Sequence, residues 1–369
     1  MKLEGYRVLD LSMFLPGPWL TQVMADHGAE VIKVEPPSGE PVRTVGYVEN
    51  GWTTWYRNTH RGKKSVMLDL KKSEDHAAFL RLAAEADVVV EAFRPGVVDR
   101  LGIGYDAICA VKPDIVYASI SAFGQTGPER LRPGHDLAIE ALSGVVSLNL
   151  GKDGEPTNPH MPVADITGSM AALSGILMAL LRRERTGQGD YLDISMQDAT
   201  VAWLPNVVGP VFAEGRAPDV KAERSFGGYA FFSVYRTRDG GHVCLGGVEH
   251  KFVENFLNAV ERPDLIPLAL GPNGPGQTPV KDALTEIFLT RTRDAWDKWA
   301  RGRDLCFAPV LDLKEALDHP QLAVRDMILT GPDGSRNLGT PLKFRNEPGR
   351  LDLSLAELGQ HNRDLLGRD

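Results

Sequence analysis

The feature that most restricts the fold is an alternation. Across about the first 200 residues, short runs rich in β-branched side chains recur: Arg7 to Leu11, Glu30 to Val34, Ser65 to Leu68, Val88 to Glu91 and Ile115 to Ile120. Between them lie segments with helical spacing, such as Ala77, Leu80 and Ala84, for which Ser73 is the predicted N-cap. Strand, helix, strand in repetition predicts a mostly parallel sheet covered by helices, an α/β doubly wound domain. From Gly168 to Arg183 a further helix is predicted, with Met170, Leu173, Leu177 and Leu180 on one face and a basic, glycine-terminated end. Tyr191 to Ser195 reads as a strand, and Met196 to Leu204 as a helix ending before Pro205.

Beyond residue 205 the pattern changes. A stretch richer in Gly, Pro and charge, 206–228, precedes two strand-like runs, Tyr229 to Tyr235 and His242 to Gly246, joined by Arg238-Asp239-Gly240-Gly241, a hairpin signal. The Gly/Pro cluster at 271–279 reads as a long mobile loop. The expected division is a large α/β domain over 1–204, a smaller domain over 205–325, and a segment 326–369 returning to the first.

Composition excludes several classes. With 41 Lys+Arg against 49 Asp+Glu the formal charge is −8, which argues against nucleic acid as a partner. No signal-peptide pattern opens the chain and no window reads as the ~20 apolar residues of a membrane span, so no membrane partner and a cytoplasmic location are expected. Cys109, Cys244 and Cys306 lie too far apart for paired zinc ligands, and the nine histidines are scattered, so no metal is expected.

The familiar motifs are also missing. The one G-x-G-x-x-A match, Gly102, Gly104 and Ala107, does not follow the first strand, so it is no dinucleotide fingerprint. Gly62-Lys63-Lys64-Ser65 ends like a phosphate loop but leads into a strand. Neither a G-x-S-x-G elbow nor an H-E-x-x-H motif is present.

What remains is three polar segments: Gly134-His135-Asp136 before a helical run, Ala164-Asp165 at the start of the strong helix, and Gly246-Gly247-Val248-Glu249 after the hairpin. Each has a plain structural explanation taken alone, Asp165 as an N-cap, His135 paired with Asp136, and Glu249 as a solvated helix-start carboxylate.

A resemblance changes that balance. MKLEGYRVLDLSMFLPGP, ADHGAEVIKVEPP, RGKKSVMLDL, EAFRPGVVDRLGIG, YASISAFGQTGP, GHDLAIEALSGV, RRERTGQGDYLDISMQD, VYRTRDG, FAPVLDLKEALDHPQL and LGQHNRDLLG, in order, resemble the class III CoA-transferase superfamily, which includes formyl-CoA transferase, carnitine CoA-transferase and α-methylacyl-CoA racemase. The resemblance implies a Rossmann-like large domain, a smaller α+β domain and an interlocked homodimer. It implies an acyl-CoA substrate, with coenzyme A entering as part of that substrate and no prosthetic group.

Within the superfamily, Gly134-His135-Asp136 and the segment Leu245 to Phe252, with Glu249, resemble the racemases. The transferases carry GYD at 134–136 and use the aspartate matching Asp165 as a nucleophile. The resemblance therefore implies His135, Asp136, Asp165 and Glu249 as the catalytic set of a racemase or epimerase of 2-methyl-branched acyl-CoA, with an aspartyl-CoA transferase as the alternative. Inversion next to a thioester needs bases on both faces of the carbon, whereas transfer needs one nucleophile and a stabilised anion. Met161, Thr167-Gly168-Ser169 and the extended segment Trp52 to Arg61 depart from the racemase pattern.

For coenzyme A, the resemblance implies Arg94 and Arg100 at the phosphates, Leu68 and Phe93 around the adenine portion, and Gly134 beside the ligand. Pro36 replaces the family's usual arginine, so phosphate affinity is expected either to be weaker or to be supplied by Arg43 or Lys64. The free amides at the start of the helix carrying Asp165 are expected to hold the thioester oxygen.

Overall fold

The computed structural model describes residues 1–367. The chain forms two compact units. The first comprises Met1–Val145, Pro159–Trp203 and the segment from Pro320 onward, and the second comprises Val146–Asn158 and Leu204–His319. The expected 1–204 domain is thus interrupted by the excursion 146–158, and the returning segment begins at Pro320 rather than 326.

The first unit is built on six parallel strands, Arg7–Asp10, Glu30–Glu35, Lys64–Met67, Val88–Glu91, Val116–Ser121 and Asp190–Ser195. Counted in chain order they lie 3-2-1-4-5-6 across the sheet, the order of dinucleotide-binding folds. Their apolar runs follow from burial on both faces. Val8, Val31, Val88, Val90 and Val116 face one core with Leu173, Ile176 and Leu180, while Leu9, Ile32, Val66, Val89 and Tyr117 face the other with Phe79 and Leu82. Each such buried side chain contributes about 1.5–3 kcal/mol.

Two local expectations are corrected. Ser73 is the first residue of the helix Ser73–Ala84, not its cap; Lys72 precedes it with no side-chain cap. The helix expected from Gly168 begins earlier, at Val163, and runs to Thr186 with Gly187 left-handed at its end. By length and composition it qualifies as a membrane span, with a mean hydropathy of 1.6 over its most apolar window, contrary to the expectation that no window reads so. Its Ala172, Leu173, Ile176, Ala179 and Leu180 are built into the sheet's core, and Leu177, Met178 and Leu181 are exposed.

The terminal segment closes one edge of the sheet. The backbone N–H of His361 donates to the Ser65 carbonyl (2.9 Å), Met67 N–H donates to Asn362 Oδ1 (2.9 Å), and Gly359 N–H donates to Ser65 Oγ (3.0 Å).

The second unit carries an antiparallel sheet of Phe307–Pro309, His242–Gly246 and Phe232–Arg236. Its core gathers Phe256, Phe288, Trp296, Val243 and Leu245. The expected hairpin is present, its turn closed by Thr237 and Gly241. The Gly/Pro stretch at 271–279 is not a free loop. Gln277 is fully buried; its Nε2 donates to the carbonyls of Leu268 (3.0 Å), Gly271 (3.2 Å) and Pro272 (3.2 Å), and its Oε1 accepts from Ala230 N–H (3.2 Å).

Candidate active site

In an open parallel sheet, ligands bind beyond the carboxyl ends of the strands where the strand order reverses. In the first unit that point lies between Arg7–Asp10 and Val88–Glu91. A cleft of about 1120 Å³ opens there, lined by Met13, Phe14 and Pro16 after the first strand, by Ala92, Phe93 and Arg94 after the fourth, and by Ser121 and Met196 at the ends of the fifth and sixth. His135, Gly134 and Asp165 line the same cleft, and so do Arg100, Arg130 and Arg132. A smaller cavity of about 220 Å³ is lined by Leu68 and Pro36 and shares Phe93 with the cleft. The two therefore adjoin at that ring.

The loop after the first strand is fixed by buried charge. Asp10 is fully buried, and Lys33 and Lys63 place their ammonium groups 3.4 and 3.1 Å from its two oxygens. Thr21 Oγ1 donates to it at 2.6 Å, and Ser12 adds its backbone N–H at 3.0 Å. Burial alone would raise this carboxyl, but Lys33 and Lys63 together outweigh it and hold it well below the usual carboxylate range. For Lys63 burial wins over the attraction of Asp10, and its pKa falls to about 8. Lys33 also reaches Glu40 (3.2 Å), whose other oxygen accepts from Phe14 N–H (2.9 Å). Phe14 is thereby held at φ 63°, an uncommon conformation for an aromatic residue, and its ring meets the His135 imidazole edge-on at 5.8 Å.

His135 is exposed and stands at the N-cap of the short helix Asp136–Leu142. Gly134 before it is closely packed: a Cβ there would lie 3.1 Å from Ala122 Cβ and 3.2 Å from the Phe123 ring. Asp136 turns its carboxylate to the long helix, where Oδ1 accepts from the N–H groups of Ala164 (2.9 Å) and Asp165 (3.1 Å). Glu140, one turn further on and fully buried, accepts from Val163 N–H (2.9 Å). Ile166 N–H already bonds to the Pro162 carbonyl (3.0 Å). Every free amide at the start of the long helix is in use, taken by Asp136 and Glu140, so a thioester oxygen bound to one of them must displace a carboxylate.

Asp165, in the first turn of that helix, would ordinarily be held low by the dipole. Here burial raises it, and the neighbouring Asp136 and Glu140 charges raise it further, to about 7. Glu140 is itself pushed up to about 7 by burial and by its hydrogen-bond contact with the Asp136 carboxyl.

Glu249 belongs to the second unit. It stands at the N-cap position of the helix His250–Ala259 without a side-chain capping bond, is exposed, and lays its carboxylate over Gly247, where a Cβ would meet Oε2 at 2.9 Å.

The proposed substitutes for the missing arginine are both engaged. Arg43 forks onto Glu35 (Nε and Nη2, 2.7 Å each), and Lys64 pairs with Glu30 on the strand surface. Instead, the cleft wall carries two arginines, Arg130 and Arg132, that the sequence reading passed over. Arg94, Arg100, Arg130 and Arg132 are all exposed, and Arg132 is also paired with Glu129 (3.1 Å). The R-x-R spacing just before Gly134-His135-Asp136 is the signal that could have marked them. Glu140 was also missed, because a carboxylate inside a helical run reads as a solvated face.

The sequence matches CoA-transferase family III over residues 3–362. It is 34% identical to the acetyl-CoA:oxalate CoA-transferase of Acetobacter aceti, covering 92% of this chain and 88% of that one. It is 31% identical to the human alpha-methylacyl-CoA racemase, covering 99% and 93%. Among solved structures, a CAIB/BAIF family protein from Brucella suis superposes with a TM-score of 0.84 at 28% identity, covering 99% of this chain and 98% of that one. With a parallel sheet of that family's architecture and a family match spanning nearly its whole length, the chain is a member of CoA-transferase family III.

Proposed function

We propose that the protein is a racemase or epimerase of 2-methyl-branched acyl-CoA thioesters. The observation that carries this reading is that an exposed imidazole, His135, and a carboxyl tuned to about 7, Asp165, line one cleft. Proton transfer is most efficient when the acid or base titrates near the working pH, as Asp165 does. One group removes the α-proton, the electron pair passes into the thioester carbonyl, and the other returns a proton to the opposite face. Glu249 is the further carboxylate that the resemblance to the racemases assigns to this reaction. Coenzyme A enters as part of the substrate, and the exposed Arg94, Arg100 and Arg130 supply guanidinium forks suited to its phosphates.

The test is incubation with a 2-methylacyl-CoA in deuterated water, without an acceptor acid. Deuterium uptake at the α-carbon is expected, and His135→Ala should reduce it by about 10²-fold or more. No uptake, with CoA passing to an added carboxylate, would overturn the reading in favour of transfer. That second reading draws support from the similarity to the Acetobacter aceti transferase and from the single carboxyl, Asp165, that attack on a thioester needs. The interlocked homodimer belongs to the same proposal, and the exposed Leu177, Met178 and Leu181 on the long helix support a partner there. Tagged and untagged chains, mixed after folding, should not exchange.

A further inference from the structure

Glu140 is a buried group of the first unit whose placement the reaction scheme leaves unexplained. It is fully buried; one oxygen accepts from Val163 N–H, and the other, Oε2, is buried with no hydrogen-bond donor. An ionised carboxylate in that position would leave an acceptor unpaired beside a second carboxylate, Asp136, with which it is in contact. A proton between the two removes both problems.

We propose that Glu140 is a positioning residue that shares one proton with Asp136, and that the pair engages the free amides of the long helix so that the Asp165 carboxylate is left uncapped for reaction. This rests on the reading of Asp165 as a reacting group. Each part of the pair has a defined task. Glu140 holds Val163, and Asp136 holds Ala164 and Asp165 by their backbone N–H groups. The charges acting on the cluster come from its own members: Asp136 acts on Glu140, and both act on Asp165. Asp198, on the neighbouring helix Met196–Ala202, is exposed and is not among them. Glu140 is raised to about 7, in the direction that a shared proton requires.

Two variants and two readouts test this. Glu140→Gln reproduces the protonated acid, with an oxygen for Val163 N–H and an N–H for Asp136. It should keep its turnover within about threefold of the parent, whereas Glu140→Leu, which does neither, should lose about ten- to a hundredfold in kcat with little change in KM, as a misplaced reacting group does. The second readout needs no activity. At pH 6 the infrared carbonyl stretch of a protonated carboxyl should be present in the parent and reduced in Glu140→Gln. An unchanged band overturns the shared proton, and a Glu140→Gln enzyme as impaired as Glu140→Leu overturns the positioning role. If Glu140→Leu does not fold, the Glu140→Gln results decide alone. Absence of both α-exchange and CoA transfer in the parent would instead count against the proposed function, leaving the infrared result to stand by itself.

Discussion

The perturbation that most directly tests the construction of the site is Asp10→Asn. In the parent, the two ammonium groups lie 3.1 and 3.4 Å from the Asp10 oxygens, which at an effective dielectric of about 20 corresponds to roughly 5 kcal/mol of attraction each. Most of that is offset by the desolvation of three buried charges, and removing one partner of such a group typically leaves a loss of about 3–5 kcal/mol. Asparagine keeps an acceptor but leaves Lys33 with Glu40 and the charge of Glu35, and takes away the carboxylate paired with Lys63. Urea unfolding at pH 7 should show that loss. The penalty should shrink at pH 9. Lys63 is lowered to about 8 in the fold against 10.5 for an ordinary lysine, so between those values the unfolded chain binds more protons and stability from this group rises with pH. With Asp10 neutralised the ammonium is disfavoured further, and by pH 9 the folded variant carries Lys63 uncharged. A loss below about 1 kcal/mol at pH 7, or one that grows at pH 9, would refute the argument.

Other outcomes follow from named contacts. Gly134→Ala should destabilise by about 1–3 kcal/mol through crowding against Ala122 and Phe123 and should lower turnover by displacing His135; unchanged melting and activity would show that the loop gives freely. Gln277→Leu should lose about 1–3 kcal/mol for each buried group left unpaired and accelerate hydrogen exchange at Ala230, whose N–H it accepts; unaltered exchange there would contradict the pinning. Arg94→Ala and Arg130→Ala should each weaken CoA binding by about 1.5–3 kcal/mol and flatten its salt dependence, measured by calorimetry at two ionic strengths; an Arg130→Ala protein with parental affinity would leave that side chain facing bulk water.

The six-strand sheet was legible because burial on both faces forces continuous apolar runs, as in Val88–Glu91, and these differ from everything around them. The site was legible only in part. His135 and Asp165 line one cleft because the loop after the fifth strand and the head of the long helix meet there, but the task of Asp136 depends on where Ala164 and Asp165 turn their amides, which is a tertiary fact. The stretch at 271–279 misled for a related reason: Gly and Pro describe backbone freedom, while a single buried amide, Gln277, ties the loop down. Arg130 and Arg132 sit in a turn whose composition resembles any exposed loop, and only the cleft gives them a direction.

The closing of the sheet edge by the terminal segment bears on how the chain is made. The bonds from His361 and Asn362 to Ser65 and Met67 join residues separated by 296 and 295 positions. During synthesis the strand Lys64–Met67 is made well before the groups that cover it. Throughout that interval it offers unpaired backbone to any other extended segment. A chain that ends before Gly359 lacks the groups that cover this edge and leaves the backbone of Lys64–Met67 unpaired there.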